Sequence, residues 1–225
     1  PDVDVAVQNC ISQGNSSSLN CAEEIILADL LSELHPWASM ARYTRSGGES
    51  MALAVRIARA YSGKDRIAFC GYHGWHDWYL AANLNSSEEL GTHLLPGLEP
   101  KGVPKGLEGT ALAFNYNDLD SLKRILKQHP DEIGAIVMEP LRSDYPSVGF
   151  LEEIRNLADK YNIVLVLDEI TAAFRMNNGG SHLLFDIEPD IAVFAKAVSN
   201  GYPMGVILGK EEIMQAAQST FISST

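Results

Sequence analysis

Two ionisable side chains stand directly after apolar segments of this sequence. Asp168 follows IVLVL, residues 163–167, and Lys196 follows IAVFA, residues 191–195. Because segments of this length and composition are typical of buried strands, an ammonium at the end of one is costly to desolvate. Desolvation favours the neutral amine, which is a nucleophile for carbonyl compounds. The pattern therefore indicates covalent chemistry at Lys196.

Each of these residues also has a simpler interpretation. Lys196 could extend to solvent or pair with Asp190. Asp168 and the adjacent Glu169 could cap the next helix or bridge to Arg175. Taken one at a time, the residues leave these alternatives open.

A turn of small residues, Ser46-Gly47-Gly48-Glu49-Ser50, opens a segment with helical periodicity that extends to residue 61. Two glycines allow a ligand to approach the backbone closely, and the free amides of a helix N-terminus favour a phosphate. Most turns of this kind are structural, so this one becomes informative only beside other parts of a site.

An aromatic and histidine-containing segment, GYHGWHD at residues 71–77, follows the apolar segment 67–70. Tyr72 could stack on a flat heterocycle or fill the core. The two histidines of this segment and its aspartate suggest a metal site. Its second glycine argues against a regular helix, however, and no third ligand has suitable spacing, so we predict no metal site.

Segments with helical spacing of apolar residues alternate with short apolar strands along the chain. The predicted helices are Ala22–Leu34, 50–61, 118–128 and Phe150–Tyr161, and the predicted strands are 67–70, 134–138, 163–167, Ile191–Phe194 and 206–208. This order predicts an α/β fold with a mostly parallel sheet and helices on both faces. Ligands of such folds bind at the carboxyl ends of strands, where Glu139, Asp168 and Lys196 fall. Segment 86–109, rich in Gly and Pro, is predicted to be a long loop.

The composition narrows the possible partners. The chain has 225 residues, of which 46% are hydrophobic, and this suits one large domain. Its net charge of −12 argues against binding to nucleic acid or to an anionic membrane surface. No apolar run is long enough to span a membrane. The three cysteines show neither a pairing pattern nor zinc-ligand spacing, which favours reduced thiols in a cytoplasmic protein.

Further segments extend these motifs in a fixed order. They include SGGESMALAVRIARAYSGKDRI, GYHGWHD, GAIVMEP, GFLEEIRNLADKYNIVLVLDEI, PDIAVFAKAVSNGYPMG and FISST. Over nearly its whole length the chain resembles the class III aminotransferases, most closely those of the glutamate-1-semialdehyde 2,1-aminomutase type. The resemblance implies a fold type I large domain, pyridoxal 5'-phosphate as cofactor, a small-molecule amino donor and acceptor, and an active site at a homodimer interface.

The resemblance also implies roles for individual residues. The resemblance places Gly47 and Gly48 at the cofactor phosphate, Tyr72 and Ile170 on the two faces of its ring, and His73 as a further cofactor contact. It places Asp168 at the pyridine nitrogen and Lys196 as the Schiff-base lysine that also moves the substrate proton. Glu139 and Arg142 would lie on the substrate side, and Ser223 at the phosphate bound by the partner subunit. Two positions depart from the family pattern. Gly48 stands where a hydroxyl residue or Ala is common, and Thr171 stands where many members carry a Gln.

We therefore expect amino-group transfer, either between molecules or as a 1,2-shift within one. An aminotransferase acting on an amino-sugar or polysaccharide precursor is an alternative. Residues 1–225 would form an incomplete large domain, with an N-terminal segment and a C-terminal small domain absent. For that reason a folding or dimerisation core without activity is a further alternative. A Rossmann nucleotide binder is disfavoured because no strand–GxGxxG–helix unit is present.

Overall fold

The computed structural model describes residues 2–14, 21–86, 89–93, 99–220 and 222. Its helices are α1 (Asp2–Gln13), α2 (Ala22–Leu34), α3 (Gly47–Ser62), α4 (Asp77–Leu80), α5 (Leu119–Gln128), α6 (Phe150–Tyr161), α7 (Ser181–Leu184) and α8 (Glu211–Met214). Its strands are β1 (Met40–Thr44), β2 (Arg66–Cys70), β3 (Ala111–Ala113), β4 (Ile133–Met138), β5 (Val164–Asp168), β6 (Ile191–Phe194) and β7 (Gly205–Gly209). Single 3₁₀ turns lie at Ala81–Leu84, Lys105–Leu107, Lys196–Ser199 and Gln215–Ser219.

The described strands form one mixed sheet in the order β1-β7-β6-β5-β4-β2-β3. The five strands from β6 to β3 are parallel to their neighbours. At the other edge β7 runs antiparallel to both β6 and β1. The carboxyl ends of β2, β4, β5 and β6 therefore lie along one side of the sheet, where ligands of such folds bind. The predicted mostly parallel α/β fold is confirmed.

Helices cover both faces of this sheet, as the apolar strands predicted. On one face the buried residues of α3, such as Met51 and Ile57, pack on alternate strand residues that include Val137 and Val166. On the other face α5 and α6 pack on the intervening strand residues, including Ile136. Further along that second face, α2 covers β6 and β7. Since successive side chains of a strand point to opposite faces, a strand between two helical layers must be apolar throughout.

Helix α3 begins three residues before the predicted start at residue 50, so the two glycines belong to the helix itself. The Ser46 side chain accepts a hydrogen bond from the Glu49 amide at 3.3 Å. The Glu49 carboxylate in turn accepts one from the Arg45 amide at 2.8 Å. This reciprocal capping satisfies two backbone donors and fixes the helix start.

Other predicted elements agree with the structure to within about one residue, but six elements were not predicted. They are α1, β1 and β3 and the four-residue helices α4, α7 and α8. Strand β1 carries mixed polar and apolar residues at a partly exposed edge, β3 has three residues, and α1 contains no buried residue. None of them has a strong apolar period, which is the signal that sequence reading uses. Within the predicted loop 86–109, the described part contains only the short turn Lys105–Leu107 as regular structure.

Candidate functional site

A cavity of about 370 Å³ opens at the carboxyl ends of β2, β5 and β6. Its lining comes from segments that are far apart in sequence but adjacent in the fold. The lining residues are Arg45, Ser46, Gly47, Gly48, Tyr72, His73, Gly74, Trp75, His76, Asp168, Ile170, Thr171, Ala195, Lys196, Tyr202, Pro203 and Met204. The fold thus brings together the glycine turn, the aromatic segment, the carboxylate and the lysine that the sequence singled out.

Asp168, the last residue of β5, is buried and held on both carboxylate oxygens. The His73 Nδ1 lies 2.7 Å from its Oδ2, and the Ile170 amide donates to its Oδ1 at 3.0 Å. The other ring nitrogen of His73 lies 3.1 Å from the carbonyl oxygen of Cys70, at the end of β2. Because a carboxylate has about four acceptor positions, Asp168 can still accept a further hydrogen bond from a group in the cavity.

Lys196 lies at the cavity in a different environment from the one predicted. The prediction of a desolvated amine is wrong. Lys196 is exposed, and its Nζ donates to Thr171 Oγ1 at 2.9 Å. The reason is that β6 ends at Phe194, so Lys196 already belongs to the following turn. Its φ of 53° is in the left-handed region that side chains other than Gly seldom adopt. Such strain is characteristic of functional positions.

The structure also tests the simpler interpretations of Lys196, Asp168 and Glu169: two proposed ion pairs are not formed, and one proposed helix cap is. Asp190 does not pair with Lys196, since its carboxylate accepts from Arg155, Lys210 and the Leu165 amide. Arg175 bridges to neither carboxylate of the Asp168-Glu169 pair, because its guanidinium donates to the Thr171 carbonyl at 3.3 Å. Glu169 does cap the next helix, as described below.

The first turn of α3 borders the cavity with backbone donors. The amides of Gly47 and Gly48 have no acceptor among the described residues, as expected for the start of a helix. A Cβ at position 47 would lie 2.9 Å from Ile170 Cδ1, so a larger residue there would require the Ile170 side chain to shift. The free amides and the helix dipole make this end of the cavity suitable for an anion.

The two ring-contact candidates, Tyr72 and Ile170, both line the cavity. Tyr72 is 41% exposed, so it does not fill the core. Its ring edge meets Tyr79 with centroids 6.1 Å apart, while Ile170 packs against Gly47 at the first turn of α3. An aromatic and an aliphatic side chain in one cavity can hold a flat ring between them.

Glu139 and Arg142, predicted on the substrate side, are not among the cavity-lining residues. Arg142 Nε lies 3.2 Å from Glu139 Oε2, and Arg142 donates to the carbonyl oxygen of His93 at 3.3 Å. Burial raises the pKa of Glu139, and the Asp168 charge adds to this, whereas Arg142 and the Tyr72 amide oppose it. Because Glu139 also accepts from the Tyr72 amide at 3.1 Å, this cluster positions the turn that presents Tyr72.

His93 belongs to the same cluster, which sequence reading did not identify. Its Nδ1 accepts from the Gly71 amide at 3.3 Å. Burial lowers the pKa of His93 to about 4, and the charge of Arg142 contributes. Gly71 has a φ of 120°, and a Cβ there would lie 2.6 Å from Glu139. The turn at Gly71 is thus fixed from two sides.

Glu169 is fully buried and forms a second histidine–carboxylate pair behind the cavity. It accepts from both backbone and side chain of Ser181 and His182 at the start of α7, at distances of 2.7 to 3.1 Å. The Nε2 of His182 accepts from Trp37 Nε1 at 3.2 Å. Glu169 therefore anchors the residues that follow Asp168 to the body of the fold.

Several lining residues were not proposed as ligand contacts from the sequence, among them the basic residues Arg45 and His76. The only available signal was that Arg45 adjoins the glycine turn and that His76 follows Tyr72 by four positions. Ser223 lies outside the described residues. Within the described residues, no group of three or more His, Cys, Asp or Glu side chains could hold a metal ion. No helix in that part of the chain has the length and apolar character needed to cross a membrane.

Comparisons with known proteins agree with this geometry. The family model for aminotransferase class III matches residues 1–225. The chain is 38% identical to a 3-aminobutyryl-CoA aminotransferase of Cloacimonas acidaminovorans over 232 residues, which cover 100% of this chain and 52% of the relative. It is 36% identical to a glutamate-1-semialdehyde 2,1-aminomutase of Syntrophomonas wolfei, over 96% of this chain and 50% of that protein.

A solved structure described as a transaminase with PLP bound superposes with a TM-score of 0.84 and 27% identity, over 95% of this chain and 50% of the other. The chain thus spans about half the length of the relatives that it matches. The match over its whole length, together with the ordered cavity residues, shows that the chain belongs to the class III aminotransferase family.

Proposed function

We propose that this chain binds pyridoxal 5'-phosphate and takes part in amino-group transfer. The observation that carries the proposal is that Lys196, Asp168 and the first turn of α3 border one cavity. The residues present fit the cofactor, because an amine, a carboxylate and an anion-binding helix start are the partners that its aldehyde, ring nitrogen and phosphate require. When bound, the cofactor would supply an aldehyde that takes up an amino group and a ring that stabilises negative charge at the neighbouring carbon.

The protein side chains would each act at a defined part of the cofactor. The amides of Gly47 and Gly48 would bind the phosphate, and Tyr72 and Ile170 would contact the ring faces. Asp168 would accept a hydrogen bond from the protonated ring nitrogen, and His73 would hold that carboxylate in place. A charged acceptor at the ring nitrogen favours electron withdrawal from the substrate carbon.

Lys196 would hold the cofactor covalently and then move a proton on the substrate carbon. Its Nζ already donates to Thr171, so the hydroxyl would orient the amine within the cavity. A displaced lysine amine close to the reacting carbon is a suitable general base. Glu139 and Arg142 remain proposed substrate-side residues, acting through the Tyr72 turn that they position.

The substrate divides the proposal into two reactions. One relative is named as an aminotransferase of an aminobutyryl-CoA and another as a 2,1-aminomutase, so we propose either transfer between molecules or a shift within one. We also propose that residues 1–225 form the cofactor-binding large domain; the relatives that the chain matches are about twice its length.

Assembly as a homodimer is a further part of the proposal. The described helices α1 and α2 leave apolar side chains exposed, including Val5, Ile11, Ile25 and Ile26. Such a surface is suited to contact with a second copy.

The three free cysteines are consistent with a cytoplasmic location.

A cofactor titration tests the proposal. Full-length protein mixed with pyridoxal 5'-phosphate should develop a visible absorption band, and Lys196→Ala should not. Lys196→Arg is the matched control that keeps the charge but cannot attach the cofactor in the same way. No band in the unchanged protein, or the same band in Lys196→Ala, would refute the proposal. A panel of keto and aldehyde acceptors then separates transfer from the internal shift.

A further inference from the structure

Position 48 lies in the first turn of α3 and has no side chain, yet the space beside it is filled. A Cβ built at Gly48 would lie 3.1 Å from Cδ2 and 3.3 Å from Nε2 of His76. These contacts are tighter than ordinary van der Waals distances, so the imidazole occupies the place that a side chain at position 48 would need. His76 and Gly48 both line the cavity.

The close approach of His76 depends on a second glycine. A Cβ at Gly74 would lie 3.3 Å from the Cα of Gly48, and Gly74 has a φ of 94°. The segment between His73 and His76 therefore packs with its backbone against the start of α3. The backbone of His76 is fixed as well, since its carbonyl oxygen accepts from the amides of Tyr79 and Leu80.

The His76 imidazole has no hydrogen-bond partner in the part of the chain that the structure describes. It is half-buried and stacks on the Trp75 ring, with centroids 5.0 Å apart. An imidazole carries at least one N–H donor in every protonation state. It therefore lies beside Gly48, whose amide has no acceptor among the described residues, with a donor of its own.

We propose that His76 is the side-chain ligand of the anionic group bound at the start of α3, in the place of the side chain that Gly48 lacks. The inference rests on the proposed function, because the anion concerned is the cofactor phosphate. The proposed contact requires that an N–H of the His76 imidazole and the amides of Gly47 and Gly48 converge on one phosphate.

A reciprocal substitution tests this exchange of roles in full-length protein. His76→Ala should weaken the affinity for pyridoxal 5'-phosphate about tenfold, the loss typical of one hydrogen bond to a charged group. Gly48→Ser alone should also weaken it, because the new Cβ meets the imidazole. The double variant should return to within about threefold of the unchanged protein, since the hydroxyl then occupies the vacated space.

Comparison with pyridoxal, which lacks the phosphate, separates a phosphate contact from a general effect on the cavity. The affinity for pyridoxal should be the same in His76→Ala and in the unchanged protein. The ³¹P chemical shift of the bound cofactor should change in His76→Ala and not in His129→Ala, a control histidine that is not among the cavity-lining residues.

The outcomes distinguish the two proposals. Absence of a Lys196-dependent visible band in the unchanged protein would refute the proposed function. A band that forms normally, with equal cofactor affinity in His76→Ala, would refute only the assignment of His76. The assignment would also be overturned if His76→Ala lost affinity equally for pyridoxal and for pyridoxal 5'-phosphate. It would be overturned as well if Arg45→Ala lost affinity for the phosphate form and His76→Ala did not.

Discussion

Adjacent residues Asp168 and Glu169 each form a buried pair with a histidine, and the two pairs differ in what lies beyond them. His73 and Asp168 lie 2.7 Å apart and border the cavity, whereas His182 and Glu169 lie 2.8 Å apart and are completely buried. Glu169 is surrounded by donors from Ser181 and His182, but Asp168 keeps acceptor capacity toward the cavity. The same chemical pair thus borders the cavity in one place and ties segments of the core together in the other.

This difference arises from the strand itself. Asp168 ends β5 and Glu169 is the next residue, whose amide donates to the carbonyl oxygen of Val193 at 2.9 Å. Their side chains turn to different partners at this point, one to His73 and the other to His182. Removing Glu169 would leave the buried donors of Ser181 and His182 without an acceptor, so Glu169 should control stability. A carboxylate beside a cavity can instead be exchanged with smaller effect on folding, so Asp168 should control activity.

The largest expected effect is that of Asp168→Asn on the reaction. Loss of the negative charge at the ring nitrogen should slow amino-group transfer about 1000-fold, or about 4 kcal/mol in activation free energy. Asn keeps an oxygen for one of the two contacts of Asp168, so the free energy of unfolding should fall by about 1 to 2 kcal/mol, less than in Glu169→Ala. Single-turnover decay of the cofactor band with an amine donor measures the first quantity, and urea unfolding measures the second. An unchanged turnover rate would contradict the role of Asp168.

Glu169→Ala should lower the free energy of unfolding by about 3 kcal/mol, because the donors of Ser181 and His182 lose their acceptor. Urea denaturation followed by circular dichroism provides the measurement. Glu152→Ala, at an exposed position of α6, is the matched control and should change stability by less than about 0.5 kcal/mol. Equal effects of the two substitutions would remove the distinction between the pairs.

Trp37→Phe should sharpen the comparison by removing a single donor from the buried pair. His182 Nε2 would lose its hydrogen bond from Trp37, and the free energy of unfolding should fall by about 1.5 kcal/mol. The affinity for pyridoxal 5'-phosphate should remain within about twofold, since Trp37 is not a cavity-lining residue. A larger loss of cofactor affinity than of stability would show that the two pairs are coupled.

The smallest expected effect concerns His93, a buried histidine that accepts from the Gly71 amide instead of pairing with a carboxylate. Its pKa in the fold is about 4, below the ordinary value of 6.5. As the pH falls the unfolded chain takes up the proton first, so the contribution is complete above pH 6.5 and is lost toward pH 4. The contribution of His93 lowers the free energy of unfolding of the unchanged protein as the pH falls from 7 to 5. In His93→Asn this fall should be smaller by about 1 kcal/mol. An identical pH dependence in the variant would contradict this assignment.

Much of the architecture could be predicted from local patterns. Helix α6 and strand β6 have the predicted bounds, because both carry an uninterrupted period of buried residues. Helix α3 was predicted to start late, since its glycines have low helix propensity, whereas the capping contacts of Ser46 and Glu49 stabilise the earlier start. Edge strand β1 was missed because its partly exposed residues show no clear alternation.

The candidate site was predictable to a more limited extent. Residue types and order predicted Lys196, Asp168 and Tyr72, and each of them lines the cavity. The exposure of Lys196 was not predictable, because it depends on where β6 ends and on the contact with Thr171. The closed cluster of Glu139, Arg142 and His93 also depends on distances between segments that the sequence does not give.

The sequence by itself determined the alternation of helices and strands, the family, and the set of residues able to perform the chemistry, because these follow from local periodicity and motif order. Only the tertiary structure decided how those residues are paired. Asp168 and Glu169 are neighbours with the same charged group, yet β5 directs one to His73 at the cavity and the other to His182 in the core. Local sequence specifies a side chain, but its partners come from distant segments that meet only when the sheet and its helices are packed.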